Sequence, residues 1–168
     1  MLKGVPNMDD IAMRLEDVCQ GRGLVRVNLP PFEEYSLYST HTGFFRGEPL
    51  VTFTAPSGRL MALKPDATLS AVRAWGGQRG VSKLYYTDQV FRLDRHSGDF
   101  AQMRQFGVEL MGDPDPFSDV ELVDLALECL EQLGDYALDM AQMGLLERMM
   151  DAAGLTDVQR EALQGAIR

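Results

Sequence analysis

The sequence predicts an α+β domain: an antiparallel sheet with helices packed on one face. Two observations lead there. Short apolar or alternating runs bounded by Pro and Gly recur as far as Met111, with helically spaced segments before, between and after them. The two longest such runs, Val81 to Leu93 and Gln102 to Met111, follow one another and are joined by a short connection containing the polar loop Arg95-His96-Ser97-Gly98-Asp99, as suits an antiparallel pair.

Taken in order, Asp9 to Gly21 carries Ile11, Leu15 and Val18 at helical spacing, with acidic residues in front and glycine behind. Leu24-Val25-Arg26-Val27 alternates as a strand and stops at Pro30-Pro31, which lack N–H donors. Leu50 to Thr54 and Arg59 to Leu63 flank Ala55-Pro56-Ser57-Gly58, a hairpin signal. Thr68 caps a helix that runs to about Gln78 and ends at Gly80. After the long strand pair, Ser118-x-x-Glu121 and Thr156-x-x-Gln159 read as capping boxes that open two helices. Between these, Tyr136 to Met140 reads as a short strand and Leu145 to Ala153 as another helix. No internal repeat interrupts this order.

At 168 residues the chain is long enough for one domain with a real core, taken as 1–168. Its 45% apolar and 24% charged residues are an ordinary globular balance. No long uncharged apolar run suggests a membrane span, and Met1 to Pro6 has no secretory h-region, so a cytoplasmic location is expected. Cys19 and Cys129, both in helical patterns, read as reduced core thiols. With only His41 and His96 and no clustered cysteines, a metal site has almost no material, and no cofactor is expected. A glycine-rich phosphate loop between strand and helix is also missing. The net charge of −9 disfavours broad electrostatic binding of nucleic acid.

Two clusters carry chemical potential. Residues two apart on a strand share a face, so Arg92 and Asp94 on one long strand and Gln105, Gly107 and Glu109 on the next can present polar heads across one surface. A guanidinium with carboxylates suits a small zwitterion or a phosphate. Gly107, without a side chain, would let a ligand approach the backbone. The alternative is a solvated face of cross-strand ion pairs. In the second cluster, Lys64-Pro65-Asp66-Ala67-Thr68, Asp66 and Thr68 stand where a strand turns into a helix. They either cap the helix or face a ligand from its mouth.

The two clusters occur together and in order, and together they resemble histidyl-tRNA synthetases. Lys64-Pro65-Asp66-Ala67-Thr68 followed by Ala71-Val72-Arg73-Ala74 is similar to their Arg-Pro-Glu-Gly-Thr … Val-Arg-Ala segment. Phe91-Arg92-x-Asp94-Arg95 followed by Gln105-x-Gly107-Val108-Glu109 resembles their motif 2, and Pro31 with Phe32-Glu33-Glu34 resembles their motif 1. The resemblance implies a class II aminoacyl-tRNA synthetase-like antiparallel sheet flanked by helices, lacking its C-terminal strands. It implies a dimer through motif 1. It also implies that Asp66, Thr68, Gln105 and Glu109 contact histidine, as a regulatory or vestigial pocket, while Arg92 faces phosphate.

The departures from that pattern redirect the functional expectation. Synthetases carry arginines in the motif 2 loop, in a Gly-Arg-x-Arg-x-Phe pattern; this chain reads Gly98-Asp99-Phe100-Ala101-Gln102-Met103. Negative charge then stands where a triphosphate needs cations, and adenylate formation depends on such electrostatic stabilisation. Segments from Asp115 to Leu127, Leu138 to Leu145 and Ala153 to Thr156 are similar to the regulatory subunit of ATP phosphoribosyltransferase, a synthetase paralogue without aminoacylation activity. The resemblance therefore implies a non-catalytic protein of histidine biosynthesis. It would bind a short-form catalytic subunit as a homodimer within a larger hetero-oligomer and relay histidine feedback, with no tRNA partner. A divergent or truncated histidyl-tRNA synthetase is the alternative.

Overall fold

The computed structural model describes residues 7–41, 49–94, 96–112, 115–140 and 143–166. They fall into two units, Met1–Asp135 and Tyr136–Arg168.

In the first unit, helix α1 (Met8–Gly21) begins where the Asn7 side chain accepts from the Asp9 N–H. Asp9 and Asp10 in its first turn complement the positive end of the helix dipole. Strand β1 (Val25–Arg26) follows, then β2 (Phe32–Glu34) and the short helix α2 (Tyr35–Ser39). Strands β3 (Thr52–Thr54) and β4 (Leu60–Leu63) form the expected hairpin, closed by the Ala55 N–H donating to the Arg59 carbonyl. β2 pairs along the other edge of β4, giving a small antiparallel sheet in the order β2-β4-β3.

Helix α3 (Thr68–Trp75) connects to the long hairpin, β5 (Ser82–Leu93) and β6 (Phe100–Met111). These strands pair antiparallel along their whole length, from Ser82↔Met111 to Leu93↔Phe100. β1 joins the free edge of β5 in parallel, so the second sheet reads β1-β5-β6 and mixes one parallel pair into an otherwise antiparallel arrangement. Helix α4 (Pro116–Glu131) completes the unit.

The register sorts the long hairpin into two faces. One carries Tyr85 on β5 with Phe106 and Val108 on β6. These pack with Leu15, Cys19 and Leu24 from the α1 region and Leu125 and Cys129 from α4. The other carries Tyr86 and Val90, which bury against Ala67 and Ala71 at the start of α3. Each face thus has its own apolar cluster and its own helix contacts, not the single helical face expected, and the pleat of the strands is what separates them. The second unit contains α5 (Met143–Ala152) and α6 (Asp157–Ala166). There Gln159 Oε1 accepts from the Thr156 N–H at 2.9 Å and the Gln159 N–H donates to the Thr156 hydroxyl at 3.4 Å, the expected capping box.

Three expectations need correction. Tyr136 to Met140 forms no strand: apolar residues alone do not make one without a neighbouring edge to pair with. Helix α3 stops at Trp75 because Gly76 adopts a left-handed conformation (φ 64°) and its N–H returns to the Val72 carbonyl. Helix α4 is capped by Asp115, whose carboxylate accepts from the Phe117 and Ser118 N–H groups, so Ser118 lies inside the helix and Glu121 pairs with Lys83 instead.

Candidate functional site

The site forms where the end of β4 runs into α3 above one face of the long hairpin. Pro65, itself buried, ends the strand run. Just before it, the Lys64 carbonyl accepts from the Phe91 N–H at 2.8 Å, which fixes this turn against β5. The Lys64 side chain is fully buried and pairs with Asp88, tying the same two segments a second time.

Asp66 is then held in place by three donors. One carboxylate oxygen accepts from the Thr68 N–H at 2.8 Å; the other accepts from Arg92 Nη2 at 3.1 Å and Gln105 Nε2 at 3.2 Å. Arg92 Nε donates to the Pro65 carbonyl at 2.7 Å, so its guanidinium bridges backbone and carboxylate. Gln105 returns a longer contact, its Oε1 accepting from the Ala67 N–H at 3.4 Å. The expected cap is not formed: Ala67 takes the N-cap position without a side-chain cap bond, Thr68 is the first helical residue, and Asp66, one residue before the cap, accepts the Thr68 N–H while facing the sheet.

Beside this trio lies a second polar chain. The Thr68 and Tyr86 hydroxyls are 3.5 Å apart, and Tyr86 donates to Glu109 Oε1 at 3.1 Å. Burial pushes the Glu109 carboxyl above its ordinary value; hydrogen bonds from Thr68 and Tyr86 oppose the rise, and the Asp66 charge adds to it. The Tyr86 phenol is likewise raised, chiefly by burial. All five residues expected from the sequence, Asp66, Thr68, Arg92, Gln105 and Glu109, meet on one surface linked by hydrogen bonds. Two carboxylates against one guanidinium, already engaged, leave a face suited to a small cationic or zwitterionic ligand.

Two expectations for this surface fail. Asp94 lies beyond the end of β5 and accepts from the His96 N–H at 2.9 Å, organising the hairpin turn. That backbone hydrogen bond leads the causes that hold its carboxyl below its ordinary value. Gly107 does not open the backbone to a ligand: a β-carbon there would lie 2.2 Å from Tyr86 Cζ, because the Tyr86 ring already fills the space. Arg95, part of the motif-like pattern, lies outside the described residues.

Sequence reading passed over Tyr86 and the Lys64–Asp88 pair. The signal for Tyr86 is its register: it stands opposite Gly107 in the antiparallel pair, and an aromatic ring commonly covers a strand glycine. The pairing of Lys64 with Asp88, by contrast, depends on how β4 meets β5, which no local pattern specifies.

The histidyl-tRNA synthetase family model matches residues 4–168. The histidine–tRNA ligase of Desulforudis audaxviator is 33% identical over 135 residues, covering 75% of this chain and 32% of that protein. The ATP phosphoribosyltransferase regulatory subunit of Oceanobacillus iheyensis is 28% identical over 151 residues, covering 87% of this chain and 37% of that protein. The chain thus spans about a third of the length of the curated relatives it matches. Among solved structures, a protein described as an ATP phosphoribosyltransferase regulatory subunit/histidyl-tRNA synthetase from Bacillus halodurans superposes with a TM-score of 0.64. At 22% identity it covers 75% of this chain and 33% of its own. That likeness shows the fold, a class II synthetase-like α+β architecture. With the family model matched from residue 4 to residue 168, the chain belongs to the histidyl-tRNA synthetase family.

Proposed function

We propose that this chain acts as a regulatory subunit of ATP phosphoribosyltransferase: a non-catalytic partner that binds a short-form catalytic subunit and relays histidine feedback. The observation that carries the reading is the unequal state of the two halves of the site. The residues that the resemblance assigns to the amino acid, Asp66, Thr68, Gln105 and Glu109, are all present and form a connected set on one face, which supports this reading. In the phosphate half, Asp99 and Ala101 replace the arginines of the resembling synthetases, and Arg92 is engaged by Asp66 and the Pro65 carbonyl. Binding of histidine at this face would shift the partner's activity by a coupling free energy between the two sites. The segment resembling motif 1 supports a homodimer within the larger assembly, built on a core taken as 1–168. The name of the Oceanobacillus relative supports the choice of partner.

The test is reconstitution. Added to a purified short-form catalytic subunit, the chain is expected to form a complex that raises phosphoribosyltransferase activity and makes it histidine-sensitive. Absence of both complex and activation, with the chain folded by circular dichroism, would overturn the reading.

A second reading, a divergent histidyl-tRNA synthetase, is favoured by the histidine–tRNA ligases among the relatives, such as that of Desulforudis audaxviator. It requires histidine-dependent exchange of pyrophosphate into ATP, a signal the regulatory reading expects to be missing.

A further inference from the structure

The two cysteines of this chain are separated by 110 positions in sequence, yet the fold brings them together in one cluster on the helical side of the sheet. Cys19 on α1 is fully buried and Cys129 on α4 is 9% exposed; both thiols are free. Polar contacts on either side fix the opposition of the two helices. Toward one end Arg14 Nη1 donates to the Gln132 carbonyl at 3.2 Å. Toward the other, Arg22 donates to both Asp124 and Glu128 at 2.7 Å. Positions rising along α1 therefore meet positions falling along α4, an antiparallel pairing that sets Cys19 against Cys129 and holds it there.

We propose that Cys19 and Cys129 form an oxidation site at which a hydroperoxide converts the facing thiols into a disulfide that staples α1 to α4. The two roles are unequal. A hydrogen bond from Cys19, assisted by the Arg22 guanidinium, holds the Cys129 thiol below its ordinary value against the effect of burial and of Glu128. Sharing that hydrogen bond, together with burial, pushes the Cys19 thiol up. Burial alone protects a thiol. Cys129, however, lines an apolar cavity of about 320 Å³ walled by Phe106, Val108, Leu122, Leu125 and Leu130, a route open to a small uncharged peroxide.

The chemistry balances with hydrogen peroxide as oxidant. The Cys129 thiolate attacks one peroxide oxygen, the O–O bond breaks, and the departing hydroxide takes up the thiol proton as water, leaving a sulfenic acid. The Cys19 sulfur then attacks the Cys129 sulfur; the S–S bond forms, the S–O bond breaks, and a second water leaves with the Cys19 proton. Each sulfur gives up one electron, and peroxide is reduced to two waters.

The test treats the reduced, folded 168-residue chain with hydrogen peroxide. Readouts are free-thiol titration after denaturing quench, intact mass and peptide mapping. Both thiols are expected to disappear together, with the monomer mass reduced by two hydrogens and a peptide joining Cys19 to Cys129, all reversed by dithiothreitol. The pair is expected to close faster in the folded chain than in the chain unfolded in urea. A C19S variant under the same treatment is expected to stop at a sulfenic acid on residue 129 that dimedone traps. Thiols that persist in the folded chain, bridges found only between chains, or oxygen added to Cys129 of the unsubstituted protein without a bridge would each overturn the proposal. The wild-type result decides even if the variant fails to fold.

Discussion

Tyr86 and Gly107 face each other across the long hairpin, and the Tyr86 ring occupies the space where a β-carbon at position 107 would have to stand. The ring is thereby laid flat enough for its hydroxyl to reach both Thr68 and Glu109, joining the helix start to the sheet. A glycine that looked like an opening for a ligand is instead the seat of an aromatic side chain. Gly107→Ala is therefore expected to destabilise the fold by about 1–3 kcal/mol, as overpacking does. Urea unfolding checks this, and combination with Tyr86→Ala should be less than additive because the clash disappears with the ring. An unchanged midpoint for Gly107→Ala would show that the ring moves aside freely.

The raised Glu109 carboxyl gives a pH dependence with a defined sign. Its folded value lies above the unfolded one, so its favourable contribution is fully present below the unfolded pKa and is lost as pH rises through the folded pKa. Glu109→Gln imitates the protonated form. The variant should match the wild type in acid and become the more stable of the two as pH rises past the raised value. Unfolding curves over that window decide it: a constant difference at every pH would count against a burial-driven shift. If the proposed site holds histidine, calorimetry should find this variant binding it more weakly, by about tenfold or more for one lost charge-assisted contact.

Fully buried Lys64 and partly exposed Asp88 link the end of β4 to the middle of β5. Removing one partner of such a pair leaves the other charge without compensation. Lys64→Met is expected to cost about 1–3 kcal/mol, below the cost of a fully buried pair because water reaches the Asp88 carboxylate. Adding Asp88→Leu should restore much of it, since a buried ion pair is replaceable by apolar packing while half of one is not. Equal losses in the single and double variants would show that the pair does not act as a unit.

Asp66 both starts α3 and gathers Arg92 and Gln105. Asp66→Ala should cost about 1 kcal/mol for the lost hydrogen bond from the Thr68 N–H, measured by thermal or urea unfolding. It should also release the two side chains from their present positions and, on the proposed reading of the site, abolish histidine binding. Asp66→Asn, which keeps an acceptor for the Thr68 N–H, should retain most of the stability and still weaken binding. If both variants lose stability alike, the carboxylate charge rather than the hydrogen bond to Thr68 carries the effect.

Much of this molecule is legible in local pattern. The spacing of Ile11, Leu15 and Val18, the turn at Ala55-Pro56-Ser57-Gly58, the long runs rich in β-branched, aromatic and apolar residues on either side of His96 and the Thr156/Gln159 box each translate into the structure, because helix and strand patterns, turn geometry and caps are short-range properties. The parity of the strand residues also foretold that Arg92, Gln105 and Glu109 would share a face. What only the tertiary structure decided involves partners distant in sequence. The ring of Tyr86 fills Gly107, Lys64 finds Asp88, β1 joins β5 in parallel, and Cys19 meets Cys129. Tyr136 to Met140 shows the same rule from the other side: strand-forming residues stay irregular without an edge to satisfy their backbone groups. Local sequence sets the direction in which each side chain points, and the packing of one element on another determines what it meets.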